Sequence, residues 1–170
     1  MKILALDSNH SLLISGLRKA GFEVVEDYSS PKEKVMKFIS EFDGIIIRSR
    51  FPMDKEFLSK GTNLKFIGRV GAGLENIDEE FAKQRNIHLF NAPEGNRDSV
   101  AEHALGMLLM LLHRLRIADN EVRNGIWLRE ENRGDELMGK TVGIIGYGNM
   151  GKAFAKRLKG FGVEVICYDI

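Results

Sequence analysis

A glycine-rich turn follows a short apolar run late in the sequence. The run is Thr141–Ile145, and the turn is Gly146-Tyr147-Gly148-Asn149-Met150-Gly151, with the spacing G-x-G-x-x-G. In such a turn Gly146 permits the tight bend, Gly148 leaves room for a pyrophosphate, and Gly151 lets the next helix pack closely. Backbone N–H groups at a helix N-terminus bind phosphate, and the helix dipole favours negative charge. The turn therefore predicts a dinucleotide site.

The segment after this turn completes a strand–helix–strand unit. A helix is predicted at 149–161, followed by a second strand, Glu164–Tyr168. Asp169 ends this strand about 20 residues beyond the turn, where a carboxylate accepts hydrogen bonds from the adenosine ribose. A carboxylate there repels a 2′-phosphate, so the sequence favours NAD over NADP. The alternative is a plain βαβ unit with a tight glycine turn.

Two other segments place chemical groups at the predicted ends of strands. Arg48-Ser49-Arg50 provides cations and a hydroxyl, and Gly71-Ala72-Gly73 provides backbone N–H groups that can form an anion nest. Ligands of parallel α/β sheets bind beyond the carboxyl ends of the strands. Both segments suit a substrate that carries a carboxylate, with or without a phosphate. The alternatives are a solvated strand end for the arginines and simple turn geometry for the glycines.

The first 96 residues alternate between apolar strands and helices. This alternation is typical of a parallel α/β sheet with right-handed crossovers. The strands are predicted at 2–6, 22–26, 44–47, 64–70 and 87–90. The helices are predicted at 11–20, 31–42, 54–60 and 77–86.

A long helix is predicted to follow, from Asp98 or Ser99 as its cap to Asn124, with Gly125 as its stop. Its middle, 104–112, is apolar on all sides, so it is expected to be covered on every side. It is expected to cross between two domains and to meet a second subunit, the alternative being a central core helix of one domain. The later strand at 141–145 is likewise expected to be buried on both faces.

Composition narrows the class of protein. The 170 residues are 44% hydrophobic and 29% charged, which is ordinary for a soluble globular protein, and the net charge of +1 gives no case for nucleic acid or an anionic membrane. The apolar stretch 104–112 is far shorter than the ~20 residues of a membrane span. No signal peptide is recognised, and the single cysteine, Cys167, is expected in the core, so a cytoplasmic protein is predicted. His103 and His113 have no metal-ligand spacing, so no metal site is predicted.

Several segments together resemble the D-isomer-specific 2-hydroxyacid dehydrogenases, and most closely their phosphoglycerate dehydrogenase branch. The segments follow the family's order with similar separations and cover nearly the whole chain. They are IRSR at 47–50, IGRVGAGLENID at 67–78, NAP at 91–93, SVAE at 99–102 and LMGKTVGIIG at 137–146.

This resemblance implies an α/β fold in two parts. A flavodoxin-like parallel-sheet domain that binds the substrate is expected at 1–97. The connecting helix and the first βαβ unit of a Rossmann NAD-binding domain are expected at 98–170. The resemblance assigns the substrate to Arg48, Ser49, Gly71, Ala72 and Gly73. It assigns NAD to Ala72, which neighbours the nicotinamide, and to Gly146, Gly148, Asn149, Met150, Gly151 and Asp169.

The implied activity is hydride transfer between the nicotinamide of NAD and a small anionic D-2-hydroxy acid or its 2-keto partner. Arg48 and Arg50 suit a phosphate, so 3-phosphoglycerate in serine biosynthesis is the expected substrate. The family's catalytic Arg, Glu and His lie beyond the position that matches Asp169. No catalytic residue is therefore expected in these 170 residues, which are expected to be a fragment that is inactive alone.

Partners and alternatives also follow from the resemblance. Family members commonly pair through the NAD domain and the long helix, so a homodimer through 99–124 is expected. One alternative is a non-catalytic NAD(H)-binding sensor or co-regulator. A more remote one is another NAD-linked enzyme with the same two-domain plan, such as formate dehydrogenase, with which Ser99-Val100-Ala101-Glu102-His103 is compatible.

Overall fold

All strands of the chain pair in parallel, and they form two separate sheets of five and two strands. The computed structural model describes all 170 residues, which divide into two compact units, Met1–Pro93 and Glu94–Ile170. None of its helices has both the length and the apolar character that crossing a membrane requires. The assignment of substrate binding to 1–97 and of cofactor binding to 98–170 stays a prediction.

Strands and helices alternate through the first unit as predicted, and most bounds lie within about two residues of the expected ones. The strands are β1 (Lys2–Ala5), β2 (Glu23–Glu26), β3 (Gly44–Ile47), β4 (Phe66–Arg69) and β5 (His88–Phe90). The helices are α1 (Ser11–Lys19), α2 (Lys32–Val35), α3 (Lys55–Lys60) and α4 (Glu79–Gln84).

The order of strands in the first sheet is β2-β1-β3-β4-β5. This is the flavodoxin-like order, which reverses direction between β1 and β3. All four residues of β3 are buried, because a central parallel strand is covered on both faces. Ile45 and Ile47 belong to one apolar cluster and Ile46 to another. The predicted α/β fold is confirmed.

The helix predicted at 31–42 is wrong in its length. α2 ends at Val35, and a separate 3₁₀ turn follows at Ile39–Glu41. Between them the backbone hydrogen bonds shift to shorter i to i−3 spacings, such as Phe38 N–H to Val35 O at 3.1 Å. Val35, Ile39 and Phe42 are buried in one cluster. Their i, i+4, i+7 spacing is also that of one face of a continuous helix, so the sequence did not distinguish a continuous helix from a broken one.

The second unit contains three helices and two strands. They are α5 (Arg97–Leu112), α6 (Leu115–Arg123), β6 (Thr141–Ile145), α7 (Asn149–Leu158) and β7 (Glu164–Tyr168). A 3₁₀ turn, Lys159–Phe161, extends α7 to the predicted end of its helix. Both strands of the predicted βαβ unit have the expected bounds.

The single long helix predicted from 98 to 124 is wrong. The chain breaks between α5 and α6 at Arg114, a left-handed residue with φ 52°. The Leu112 carbonyl accepts a hydrogen bond from Asp135 N–H at 3.0 Å. In a continuous helix the same carbonyl would instead accept from the N–H four residues further along. Gly134 packs against this same carbonyl, where a Cβ would approach to 2.5 Å.

The ends of the helices also differ from expectation. α5 begins after Asn96, whose side chain accepts no capping hydrogen bond, so neither Asp98 nor Ser99 is the cap residue. Both lie inside the first turn, where Asp98 accepts a hydrogen bond from Arg157. α6 ends as predicted, because Gly125 follows it with a left-handed φ of 74°.

The apolar middle of α5 is covered on one side only, which corrects the expectation of complete burial. Leu105, Leu108, Leu109 and Leu112 pack in a cluster with α7 and β6. Met107, Met110 and Leu111 are exposed, and Leu111 is 77% exposed. The helix pair is further joined by Arg157, whose guanidinium donates to Glu102 at 2.9 Å and to Asp98 at 3.1 Å. The bond to Glu102 raises the pKa of Arg157.

The strands β6 and β7 also have one covered face, so the expected burial on both faces is wrong. Val142, Ile144 and Val165 contact the helical cluster. Ile145 is 90% exposed at the other face, as are large parts of Ile166 and Tyr168. Cys167 is exposed too, rather than in the core. The packed helices lie against a single face of this two-stranded sheet, which exposes Ile145, Ile166 and Tyr168 on the other face. Cys167 lies on the same face as Val165 but is not part of the packed cluster.

Candidate functional sites

The first candidate site lies at the point where the order of the five-stranded sheet reverses. Here the carboxyl ends of β1 and β3 are followed by Asp7 and Arg48, and the Arg48 N–H donates to the Asp7 carboxylate at 2.6 Å. The Arg48 side chain and Ser49 are exposed, and the Arg48 guanidinium has no partner within the chain. A free cation and a hydroxyl thus lie at the switch point, where ligands of such sheets bind.

Arg50 was expected to contact a substrate phosphate, but its guanidinium is bound within the protein. Its guanidinium donates to three backbone carbonyls, those of Leu6 at 2.7 Å, Asp27 at 2.6 Å and Ser30 at 2.5 Å. These bonds join the end of β3 to the end of β1 and to the loop after β2. Because its donors are used inside the protein, Arg50 is a structural tie, and the predicted phosphate contact is left to Arg48.

The Gly71-Ala72-Gly73 loop presents free backbone donors. The N–H groups of Ala72, Gly73 and Leu74 donate no hydrogen bond within the chain, whereas Gly71 N–H donates to Arg69 O at 3.0 Å. The loop carbonyls are held, because Gly71 O accepts from Ala92 N–H at 2.9 Å and Ala72 O accepts from the Asn91 amide at 2.6 Å. A loop with anchored carbonyls and free N–H groups is suited to an anion.

Several residues of this site were missed from the sequence. Asp7 binds the backbone of Arg48, Asn91 holds the glycine loop, and Arg69 donates to Arg48 O and to the Glu75 carboxylate, each at 3.1 Å. One signal was available: all are polar residues at or just beyond strand ends of the same sheet edge. Their partners, however, lie between 6 and 41 positions away along the chain, and spacing does not reveal such pairs.

The second candidate site is the glycine turn between β6 and α7. Gly146 has a left-handed φ of 90°, and its N–H donates to Tyr168 O at 2.8 Å. A Cβ at Gly151 would overlap the Gly146 carbonyl oxygen and would approach the Ile144 side chain to 3.3 Å. Gly148 has open space where its Cβ would be. The predicted tight turn, close packing and open approach are therefore all present.

The N-terminus of α7 is free to bind an anion. Lys152 N–H is the first in the helix to donate, to Gly148 O at 3.0 Å, so the N–H groups of Asn149, Met150 and Gly151 have no partner. No side chain caps this end, and its first turn contains no acidic residue. Unsatisfied donors and the positive end of the helix dipole together favour phosphate.

Asp169 lies beside this turn. Tyr168 pairs in register with Ile145, so Asp169 follows the strand end that adjoins Gly146. Its carboxylate is exposed and accepts from Ile170 N–H at 3.2 Å. One oxygen remains for a ribose hydroxyl. The roles of these residues toward a ligand stay predictions, and the structure contains no group of three His, Cys, Asp or Glu residues that would hold a metal ion.

Comparison with known proteins gives the family. The sequence profile for the catalytic domain of D-isomer specific 2-hydroxyacid dehydrogenases matches residues 3–164 of the chain. A D-3-phosphoglycerate dehydrogenase of Archaeoglobus fulgidus is 38% identical over 169 residues, which are 99% of this chain and 32% of that protein. A hydroxypyruvate reductase of Thermotoga maritima is 38% identical over 153 residues, covering 90% of this chain and 50% of that protein.

Solved structures agree with the sequence matches. The NAD⁺-bound 3-phosphoglycerate dehydrogenase of Entamoeba histolytica has a TM-score of 0.77 at 35% identity, over 99% of this chain and 54% of that one. The chain thus spans about a third to a half of the length of these relatives. With a family profile along most of its residues and this similarity to phosphoglycerate dehydrogenases, the chain belongs to the D-isomer specific 2-hydroxyacid dehydrogenase family, on its phosphoglycerate dehydrogenase branch.

Proposed function

We propose that the chain carries substrate-binding and NAD-binding parts of a D-2-hydroxyacid dehydrogenase. The observation that carries this proposal is the pair of anion sites built at strand ends, within a chain of this family. One site offers the free N–H groups of Ala72, Gly73 and Leu74. The other offers the free N-terminus of α7 with Asp169 beside it.

The cofactor that fits the second site is NAD. Gly148 leaves room for the pyrophosphate, the N–H groups of Asn149 and Met150 are free to bind it, and Asp169 has an oxygen for the ribose. Bound NAD would supply the acceptor for a hydride. The carboxylate of Asp169 disfavours a 2′-phosphate, so Asp169→Ala is expected to weaken NADH binding and to reduce the preference for NADH over NADPH. Titration of both nucleotides by fluorescence measures this, and an unchanged ratio of the two dissociation constants would remove Asp169 from ribose recognition.

The substrate proposed for the first site is a D-2-hydroxy acid with a second anionic group, with 3-phosphoglycerate as the first to test. The loop N–H groups hold the carboxylate beside C2, and the free guanidinium of Arg48 attracts the distal phosphate. Ser49 adds a hydroxyl at the same edge. These groups orient C2, which lowers the entropic part of the barrier to hydride transfer.

Proton transfer at the substrate hydroxyl requires an acid or base that we do not place in this chain. The four histidines of the sequence are His10, His88, His103 and His113. His10 caps α1 through Nδ1, and His88 begins β5 at the opposite end from the anion loop. His103 lies within α5 and His113 directly follows it, both in the unit that does not contain the anion loop. We therefore propose that these 170 residues bind ligands without turnover, and that the complete reaction belongs to the whole protein.

The test is to measure binding and turnover separately on the 170-residue chain. We expect NADH and 3-phosphoglycerate to bind in calorimetry, and no oxidation of NADH with hydroxypyruvate or phosphohydroxypyruvate. Loss of both binding events would overturn the proposal. Binding of NADH without any binding of 2-hydroxy or 2-keto acids would favour the alternative, a non-catalytic NAD(H) sensor.

We also propose that the protein is a homodimer through α5 and α6. The supporting observation is the exposed apolar surface of Met107, Met110, Leu111, Leu115 and Ile117. Apolar area of this kind on a helix is typical of an interface. Leu111→Lys is expected to give a monomer in analytical ultracentrifugation. Leu12→Lys, the same change at a leucine of α1 that is 74% exposed, serves as the control.

A further inference from the structure

An ion pair lies against the Gly71-Ala72-Gly73 loop. Arg69, the last residue of β4, donates through a terminal guanidinium nitrogen to the Glu75 carboxylate at 3.1 Å. Its Nε donates to the backbone carbonyl of Arg48 at 3.1 Å. The Arg69 side chain is only 13% exposed. One guanidinium therefore links the end of β3, the end of β4 and Glu75, two residues beyond the loop.

The two glycines of the loop make room for this ion pair. A Cβ at Gly71 would overlap the Arg69 guanidinium, and a Cβ at Gly73 would overlap the Glu75 carboxylate. Neither glycine has a left-handed φ, so neither is needed for its backbone conformation. The glycines let the side chains of Arg69 and Glu75 lie directly against the loop backbone, one at each end of it.

We propose that Arg69 and Glu75 are positioning residues for the anion site. Their ion pair holds the loop in the conformation that leaves the N–H groups of Ala72, Gly73 and Leu74 free for a carboxylate. Asn91 and Ala92 bind the carbonyls of the loop. The ion pair packs against the loop at the positions where the Cβ atoms of Gly71 and Gly73 would lie. This inference rests on the proposed function of the loop as the site for the substrate carboxylate.

Positioning and plain electrostatics predict opposite results here. Glu75 places a negative charge next to an anion site, and by charge alone its removal strengthens anion binding. If Glu75 acts by holding Arg69 and the loop, its removal weakens anion binding. Likewise Arg69→Lys keeps the positive charge but loses the planar fork that reaches Arg48 O and Glu75 together. Charge alone predicts unchanged binding for that variant.

The experiment measures the affinity of the chain for 3-phosphoglycerate and for D-glycerate by calorimetry in Glu75→Gln, Arg69→Lys and the double variant. We expect each single variant to bind both acids about tenfold more weakly. We expect the double variant to lose no more than either single one, because residues of one pair are not additive. Matched controls are Glu26→Gln and Arg18→Lys, a pair at 2.7 Å elsewhere in the same unit, and these are expected to bind as the parent does.

Two results would overturn the inference. One is tighter binding by Glu75→Gln together with parent-like binding by Arg69→Lys, which is the outcome of charge alone. The other is a lowered melting temperature with unchanged affinity, which is the outcome of a purely structural ion pair.

A second measurement needs no ligand. Amide hydrogen exchange at Ala92 and Ile77, whose N–H groups donate to Gly71 O and Leu74 O at the two ends of the loop, is expected to be faster in Glu75→Gln and Arg69→Lys than in the parent and in both controls. Equal exchange rates would show that the pair does not hold the loop. If no variant binds the acids, the parent included, the proposed substrate site is wrong, while the exchange rates still decide whether the ion pair fixes the loop.

Discussion

The two candidate anion sites both lie at strand ends but are held in different ways. In the first unit, side chains hold the site: Asp7 and Arg69 bind the backbone of Arg48, and Asn91 binds the loop. In the second unit, backbone alone holds the turn, through Gly146 N–H to Tyr168 O and the close contact at Gly151. The first site is therefore expected to be sensitive to changes in distant polar side chains, and the second to any added Cβ.

The cores beneath the sites differ as well. Twenty buried apolar residues lie in Met1–Pro93 and six in Glu94–Ile170, so the first unit contains most of the buried apolar area that stabilises the fold. An apolar residue in the first unit is therefore expected to contribute more to the free energy of unfolding than a similar residue in the second unit. The following experiments test this.

The largest effect is expected from a matched pair of isoleucines at strand ends. Ile47 ends β3 and is 0% exposed, whereas Ile145 ends β6 and is 90% exposed. Ile47→Ala is expected to lower the free energy of unfolding by about 3 kcal/mol, through lost burial and a cavity. Ile145→Ala is expected to change it by less than about 0.5 kcal/mol. Urea unfolding followed by circular dichroism measures both, and equal losses would contradict the contrast between the units.

The next effect concerns the glycine turn. In Gly151→Ala the new Cβ meets the Gly146 carbonyl, so the helix is pushed away from the strand, with a cost of about 2 kcal/mol in stability. Weaker NADH binding is expected to accompany it. Gly148→Ala has open space and a φ of −74°, so it is expected to keep the parent's melting temperature while still weakening NADH binding. A normal melting temperature for Gly151→Ala would mean that the turn is looser than described.

A third comparison separates the two arginines of the first site. Arg50→Met removes bonds to three carbonyls, and we expect a loss of about 1 to 2 kcal/mol in stability. Arg48→Met removes an exposed guanidinium, so we expect stability within about 0.5 kcal/mol of the parent but weaker binding of 3-phosphoglycerate. Thermal melts and calorimetry distinguish them. If Arg50→Met weakened binding without loss of stability, Arg50 would be a ligand contact after all.

The smallest effect is a dependence on pH that belongs to the first unit. Bonds from Lys65 and from the Lys2 N–H lower the pKa of Asp43, and bonds from Lys32 and the Phe57 N–H lower the pKa of Asp54. A carboxyl whose pKa is lower in the folded state stabilises the fold above its unfolded value of 3.8, and this contribution is lost as the pH falls through the folded pKa.

Amide protection factors in the first unit, which are corrected for the intrinsic rate of exchange, are therefore expected to fall as the pH drops below 3.8, and less so in Asp43→Asn. The glycine turn of the second unit is held by a backbone bond from Gly146 N–H to Tyr168 O. Because this bond has no titratable group, it is expected to be independent of pH in this range. A parent and variant with the same dependence on pH would show that the Asp43 bonds contribute nothing to stability.

Much of the fold was predictable because it follows from local patterns. Apolar runs, glycine stops and the G-x-G-x-x-G spacing gave the strands, the parallel sheet and the place of Asp169. The break at Arg114 was not predictable, because the hydrogen bond from Asp135 to Leu112 O joins segments far apart in sequence. The exposure of Ile145 was not predictable either, because an apolar run does not reveal whether anything covers its second face.

The site was predictable to a similar extent. Arg48, Ser49 and the glycines lie where strand ends predicted them, since the carboxyl edge of a parallel sheet is fixed by strand direction. The role of Arg50 was predicted wrongly. The sequence near a strand end does not show whether an arginine side chain is solvated or donates to backbone carbonyls, as Arg50 does to three of them.

The strand order of the first unit also has a consequence for how the chain folds. The β1–β2, β3–β4 and β4–β5 ladders each join residues 21 or 22 positions apart, as in Lys2 with Glu23 and Gly44 with Phe66. The central ladder joins Ile3 with Gly44, 41 positions apart. Because the entropy of closing a loop grows only with the logarithm of its length, this doubling costs about 0.6 kcal/mol more. Pairing β1 with β3, which forms the switch point beneath the first candidate site, therefore costs only slightly more loop-closure entropy than pairing any other neighbouring strands.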